Sequence, residues 1–202
     1  METELKFQTD EAGLAGLAAA VTLGHFDLIN EPSVHDLDTY YDTAAGALAS
    51  NGYACRVRRR DGRSIATLKG LGSAQGAVHR RVEMEIELSR PLPDPHAWPP
   101  GPMRDLVAIV TGGEPLQVVV TLDQIRQPRT VLAAGRPLAT LSLDRVMART
   151  GSRTHQWYEV EVELAPDAPE GTLEALLAAT QRQTGLRPEP RSKLEQALEL
   201  PP

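Results

Sequence analysis

Four stretches of this 202-residue chain place charge on alternate residues, and within each stretch one sign dominates. They are Glu2-x-Glu4-x-Lys6, Arg56-x-Arg58-x-Arg60, Arg81-x-Glu83-x-Glu85-x-Glu87 and Glu159-x-Glu161-x-Glu163. A two-residue period is that of a β-strand with two unlike faces. An open sheet with one solvated face gives the same alternation. Like charges two residues apart repel, however, and solvated strands usually mix Thr, Ser, Gln and both signs. Rows of one sign are tolerable when the sheet closes and rows of opposite sign face each other across a lumen.

The strand readings cover residues 1–8, 33–43, 53–60, 63–69, 77–88, 116–123, 126–133, 137–147 and 155–164. Asp61-Gly62 between two of them is the strongest hairpin signal in the chain. Asp10 reads as the N-cap of a helix carrying Leu14, Leu17 and Val21 and ending at Gly24. Further helices are predicted at 44–51, 104–111, 170–184 and 191–198. Six of the 16 prolines fall in 91–102, which predicts an irregular connector between halves 1–90 and 103–202 of a single domain. Eight or nine strands with few helices predict an α+β, mainly β fold: an eight-stranded antiparallel closed barrel with flanking helices.

Composition excludes several function classes. Phe, Trp and Tyr number only 2, 2 and 4, too few for a base-stacking platform, so no nucleic-acid partner is expected. With 21 basic and 27 acidic side chains, only a local cluster can attract an anion. Cys55 is the single cysteine, which excludes an internal disulfide and any multi-thiolate metal site and predicts a reducing, cytoplasmic location. Residues 1–10 are too charged for a signal peptide, and no run reaches the roughly 18 apolar residues of a membrane span. The loop 70–76 lacks a P-loop ending, the five histidines lack metal spacing, and Asp36, Asp38 and Asp42 do not fit a calcium loop. Cys55 alternates away from Arg56 and Arg58 and reads as core.

The inventory of the charged faces points to one ligand class. Arg56, Arg58, Lys69, Arg81, Arg126 and Arg129 suit phosphate oxygens. Glu2, Glu4, Glu83, Glu85, Asp144, Glu159 and Glu161 are hard oxygen ligands suited to Mg²⁺ or Mn²⁺. A polyanion enters beside so many carboxylates only with a divalent cation, so the implied ligand is a metal-complexed polyphosphate. Of the 21 basic residues only Lys6, Lys69 and Lys193 are lysine, and each has chemically pointed surroundings.

The opening Glu2-x-Glu4-x-Lys6 resembles the ExExK signature of the CYTH superfamily, the triphosphate tunnel metalloenzymes. Further matches are Tyr40-Tyr41-Asp42-Thr43, Arg56-x-Arg58, Thr67-Leu68-Lys69-Gly70, His79-x-Arg81-x-Glu83, Arg126 and Arg129, Asp144, Glu159-x-Glu161-x-Glu163 and Ser192-Lys193. All three lysines fall on family positions. The spacing is most similar to that of bacterial inorganic triphosphatases, without the helical CHAD domain that some of them carry. The resemblance implies a tunnel that hydrolyses inorganic triphosphate to pyrophosphate and phosphate with Mg²⁺ or Mn²⁺, two ions when substrate is present. One ion would bridge phosphates and a second, held by Glu2 and Glu4 with Glu159 or Glu161, would orient a water for in-line attack. Glu2, Glu4, Lys6 and Lys69 are the implied catalytic residues. Lys6, Arg56, Arg58, Lys69, Arg81, Arg126, Arg129 and Lys193 are the implied phosphate ligands. Alternatives are a class IV-type adenylate cyclase, a thiamine triphosphatase and a non-catalytic polyphosphate-binding module. The expected partner is a small triphosphate-bearing substrate; a homodimer is compatible, and neither nucleic acid nor membrane is expected.

Overall fold

The computed structural model describes residues 2–70, 72–89 and 94–199. The strands are β1 (Glu2–Thr9), β2 (Thr22–Leu23), β3 (Phe26–Asn30), β4 (Val34–Asp42), β5 (Tyr53–Arg60), β6 (Arg63–Gly70), β7 (Ser73–Gln75), β8 (Val78–Arg81), β9 (Glu83–Leu88), β10 (Gln117–Ala133), β11 (Arg136–Thr150), β12 (Arg153–Leu164) and β13 (Arg187–Pro188). The helices are α1 (Glu11–Ala19), α2 (Ala47–Ser50), α3 (Pro102–Thr111), α4 (Thr172–Gln181) and α5 (Lys193–Leu198). None of them is long and apolar enough to cross a membrane.

All 13 strands among the described residues join one antiparallel sheet whose main path runs β7-β8-β1-β12-β11-β10-β4-β5-β6-β9. β8 ladders with β1 and β9 ladders with β6, and only Val82 separates β8 from β9 in the chain. β8, second from one end of the path, and β9, at the other end, are therefore consecutive pieces of one extended segment. Counting that segment once, the path has nine strands, β7 adding one to the eight that the sequence predicts, and the chain itself bridges the two sides where a ladder is missing. Gly70 N–H donates to Val82 C=O at 2.9 Å across the seam.

Three sequence expectations change. Residues 77–88 form two strands with different partners rather than one. Conversely, 116–123 and 126–133 belong to the single strand β10, which runs through Pro128. Proline has no N–H to give a ladder, and Pro128 sits where none is required: on that side β10 pairs β4 up to Arg126 and β3 from Arg129 onward. The first helix starts as predicted, with Asp10 accepting from Gly13 N–H at 2.8 Å, but ends at Ala19. Val21 is exposed, and Gly24 lies in the turn of the β2–β3 hairpin. Of the expected connector, residues 91–93 lie outside the described residues, Pro95–Ala97 form a 3₁₀ turn, and α3 begins at Pro102.

The β5–β6 hairpin turns as its sequence dictates. Asp61 and Gly62 have φ of 49° and 77°, the positive values a two-residue turn of matching twist requires. Gly72 has a stricter constraint: a Cβ there would meet Arg80 O at 2.5 Å and the Arg81 side chain at 2.9 Å.

Alternation then sorts the core into an outside and an inside. Outside, Leu5, Phe7, Val160 and Val162 pack with Leu17 of α1 and Leu176 of α4. Cys55, Val57, Ala66 and Leu68 pack with Leu48 of α2 and with Met103 and Val107 of α3. On the inner face, Tyr40, Ala54, Val120, Leu122, Val146, Ala148 and Trp157 enclose Leu194 and Ala197 of α5. One end of the lumen is thus plugged by an apolar floor, and the charged rows occupy the remainder.

Candidate functional site

The lumen holds a cavity of about 660 Å³ lined by seven cationic side chains (Lys6, Arg56, Arg58, Lys69, Arg81, Arg126, Lys193) and seven glutamates. Three clusters of paired charge make up its walls, and they differ in how completely their charges are matched.

The first is a ladder of arginines on β5 against aspartates on β4, placed opposite one another by the strand register. Arg58 donates through Nε and Nη2 to the two Asp38 oxygens at 2.7 Å each, and Arg56 Nη1 donates to Asp38 at 3.4 Å. Arg60 grips Asp36 in the same forked way at 2.6 and 2.7 Å, with Arg58 Nη1 3.3 Å from the same carboxylate. Both aspartates are fully buried behind the arginines. Burial alone would raise the Asp38 carboxyl, but Arg56 and Arg58 hold it well below the usual carboxylate range. Beyond the ladder, Arg56 Nη2 donates to Thr67 Oγ1 at 3.2 Å, and Thr67 donates to Glu85 at 3.0 Å.

The second cluster lies deepest. Asp144 of β11 and Glu159 and Glu161 of β12 bring carboxylate oxygens within 4.8 Å of one another. Lys193 Nζ stands 3.0, 2.7 and 2.5 Å from Asp144, Glu159 and Glu161 respectively. Lys6 Nζ adds contacts of 3.2 Å to Glu159 and 3.7 Å to Glu161. Arg126 forks onto Asp144 at 2.8 and 2.7 Å and also donates to Glu161. Burial opposes charge throughout this cluster, and the partners outweigh it at some positions and not at others. Lys193 and Arg126 keep Glu161 well below the ordinary carboxylate range, whereas burial, with the neighbouring Glu161 charge adding to it, raises Glu159. Burial would likewise lower Lys193, yet the three carboxylates around it raise it.

The third cluster is less evenly matched. Arg81 donates through Nε to Glu2 at 3.0 Å and through Nη2 to Glu4. Lys69 Nζ lies 3.0 Å from Glu83 and 3.6 Å from Glu2. Glu163 stands opposite Glu4 in the β1–β12 register, and among the described residues no cation reaches it within ion-pair distance. Burial, then the charges of Glu2 and Glu4, push its carboxyl above the ordinary value. The exposed Glu163 carboxylate marks the mouth of the cavity.

His79 connects the clusters to the C-terminal segment. Its Nε2–H donates to Glu189 C=O at 2.9 Å, and Glu189 N–H in turn donates to Lys6 C=O at 3.0 Å. These bonds fix the approach to α5, where Ser192 and Glu195 form a reciprocal capping box that sets the first turn bearing Lys193.

Residues 1–198 match the family described as the CYTH domain. The chain belongs to the CYTH family. Its fold is shared by HpAC1 from Hippeastrum, an adenylyl cyclase candidate described as having a dominant triphosphatase activity. That match has 21% identity and TM-score 0.75, covering 100% of this chain and 98% of that one. A Pyrococcus horikoshii protein, PH1819, aligns at 19% identity and TM-score 0.62 over 98% and 99% of the two chains. The Mimivirus capping enzyme triphosphatase aligns at 14% identity and TM-score 0.51 over 89% and 87%.

In this CYTH chain, Glu2, Glu4, Lys6, Arg56, Arg58, Lys69, Arg81, Glu83, Glu85, Arg126, Glu161 and Lys193 line the cavity, and Asp144 and Glu159 stand directly behind Lys193. Arg129 does not join them. With no bulge between Arg126 and Arg129, three residues of strand put it on the opposite face. There it is buried and donates to Leu17 C=O at 2.5 Å, beneath the end of α1. Sequence reasoning missed Asp36 and Asp38, although Asp36-x-Asp38-x-Tyr40 alternates like the other rows, and it did not count Glu163 among the cation ligands. It also missed Gln196, which donates to Glu159 at 2.7 Å; nothing in a six-residue helix marks that contact. Asp42, quoted within the Tyr40–Thr43 match, is a cap: it accepts from Thr43, Leu48 and Ala49 N–H at 2.7, 2.8 and 3.0 Å.

Proposed function

We propose that this CYTH chain hydrolyses inorganic tripolyphosphate to pyrophosphate and phosphate, using Mg²⁺ or Mn²⁺. The observation that carries this reading is the pairing of seven convergent cations with an unbalanced group of carboxylates in one blind cavity. A mere anion site gains nothing from Glu2, Glu4 and Glu163, and a mere cation site gains nothing from the arginines.

The donor set fits a hard divalent cation. Glu2, Glu4 and Glu163 offer only oxygen, and among the described residues no cation lies within ion-pair distance of Glu163. Glu2, Glu4 and Glu163 would hold the ion. When bound, it supplies charge neutralisation at the transferring phosphoryl group and lowers the pKa of the attacking water. Arg56, Arg58, Lys69 and Arg81 hold the phosphate chain, with Asp38 fixing the two β5 guanidinium groups from behind so that no reorganisation accompanies the reaction. Lys69 and Arg81 sit beside the carboxylates and offset charge on the leaving pyrophosphate. The apolar floor under α5 excludes water from the closed end. Phosphoryl transfer asks for positioning and charge more than for a protein nucleophile, and Cys55 packs outside the barrel. Cytoplasmic action on a small-molecule substrate, without nucleic acid or membrane, accompanies the reading.

The test is phosphate release from tripolyphosphate, ATP and thiamine triphosphate with Mg²⁺, Mn²⁺ or EDTA. Metal-dependent turnover of tripolyphosphate above the other two is the expected result. Cyclic AMP and pyrophosphate from ATP would make it a cyclase, and preferred turnover of thiamine triphosphate would make it that hydrolase. Binding without any product would leave a polyphosphate-binding module.

A further inference from the structure

The deep trio of Asp144, Glu159 and Glu161 has the composition and spacing of a divalent-cation site, yet its centre is already taken. Lys193 Nζ lies within 3.0 Å of an oxygen from each of the three. A cation of Mg²⁺ size needs oxygens at about 2.0–2.1 Å, so an ion and this ammonium compete for the same space. Charge points the same way. The trio's three carboxylates are touched by three cations, Lys193, Lys6 and Arg126. At the mouth, the four carboxylates of Glu2, Glu4, Glu83 and Glu163 share three cations among the described residues, Arg81, Lys69 and, at 4.0 Å from Glu83, Arg56. Adding two positive charges relieves repulsion at the mouth and creates it in the trio.

Lys193 is also held where it is. Leu194 and Ala197 on the same helix pack into the lumen floor, Gln196 donates to Glu159, and Thr150 donates to Ala197 C=O at 3.3 Å. It nevertheless borders the cavity, so an anion entering there competes with the trio for its ammonium.

We propose that Lys193 is the resident cation of the Asp144–Glu159–Glu161 trio, so that the substrate-free chain takes one divalent cation, at the mouth, and the trio takes a second only when Lys193 withdraws. This rests on the divalent-cation reading above, but its test uses no substrate and is independent of which triphosphate is hydrolysed.

The experiment counts bound Mn²⁺ by loss of the free-ion EPR signal in substrate-free protein. Wild type and Lys193→Arg should bind one ion per chain, and Lys193→Met two. Adding Glu159→Gln to Lys193→Met should return the count to one. Two ions in the wild type, no second ion in a folded Lys193→Met variant, or no ion in either protein would overturn the proposal. Should Lys193→Met not fold, single variants decide the matter: Glu159→Gln should keep the wild-type ion, while Glu163→Gln should weaken it at least tenfold. The reverse pattern would place the ion in the trio and sink the idea.

Discussion

Asp38→Asn tests whether the buried aspartates hold the arginine ladder or merely accompany it. The exchange keeps shape and one acceptor but removes the charge that receives two bonds of 2.7 Å from Arg58 and one of 3.4 Å from Arg56. Breaking a buried ion pair costs about 3–5 kcal/mol when the remaining charge stays unpaired. Two features reduce that figure: both arginines border the cavity, where water reaches them, and Asp36 already lies 3.3 Å from Arg58. The expected loss is about 2–3 kcal/mol, which at a urea slope of about 2 kcal/mol/M lowers the midpoint by about 1–1.5 M. The pH dependence follows from the depressed Asp38 carboxyl. A carboxyl held below its unfolded value of about 3.9 contributes stability that is complete above that value and disappears as pH falls through the folded one. Urea titrations should therefore show the full gap between wild type and variant at pH 7 and an undiminished gap at pH 5, narrowing only below about pH 4. A midpoint at pH 7 within about 0.2 M of wild type, or a gap already closed at pH 5, would refute the argument.

Three further outcomes are expected. Arg129→Met should leave KM for tripolyphosphate within about twofold of wild type, whereas Arg126→Ala should raise it at least tenfold, about 1.4 kcal/mol; steady-state kinetics on both variants separates the inner face from the outer. Gly72→Ala brings a Cβ to 2.5 Å from Arg80 O at a φ of +55° and should lower the thermal midpoint, a cost of about 1–3 kcal/mol readable by calorimetry. Cys55 is fully buried and its thiol is pushed up to about 12, chiefly by burial. It should resist iodoacetamide at pH 8 in the native protein and react once urea unfolds the chain, as mass spectrometry will read.

The lumen was legible because its chemistry repeats every two residues, and a strand shows that period directly. Glu4 and Lys6, Arg56 and Arg58, Thr67 and Lys69 emerge on the inner face as their alternation requires. The break at Val82 was not legible, because Arg81 and Glu83 keep the same parity across it and only their partners differ. Pro128 misled in the opposite direction: proline reads as a breaker wherever an N–H is needed, and sequence does not show that β10 changes neighbours there. Arg129 was grouped with Arg126 by the resemblance, although an odd separation of three residues along a strand puts the two on opposite faces. The depth of Lys193 depends on how α5 docks into the floor, a tertiary contact that six helical residues do not encode by themselves.

The seam at Val82 also bears on how the protein behaves in a crowded solution. Because the chain closes the circuit there, β9 ladders with β6 alone among the described residues and keeps one edge unpaired. An unpaired strand edge invites another chain to add a strand, the first step of edge-to-edge aggregation. On β9 every second residue is a glutamate: Glu83, Glu85 and Glu87. A foreign strand joining this edge would lie beside three carboxylates and have to desolvate them, a penalty few sequences offset. The row whose Glu83 and Glu85 line the cavity thus also keeps neighbouring molecules apart, and its two effects cannot be changed independently.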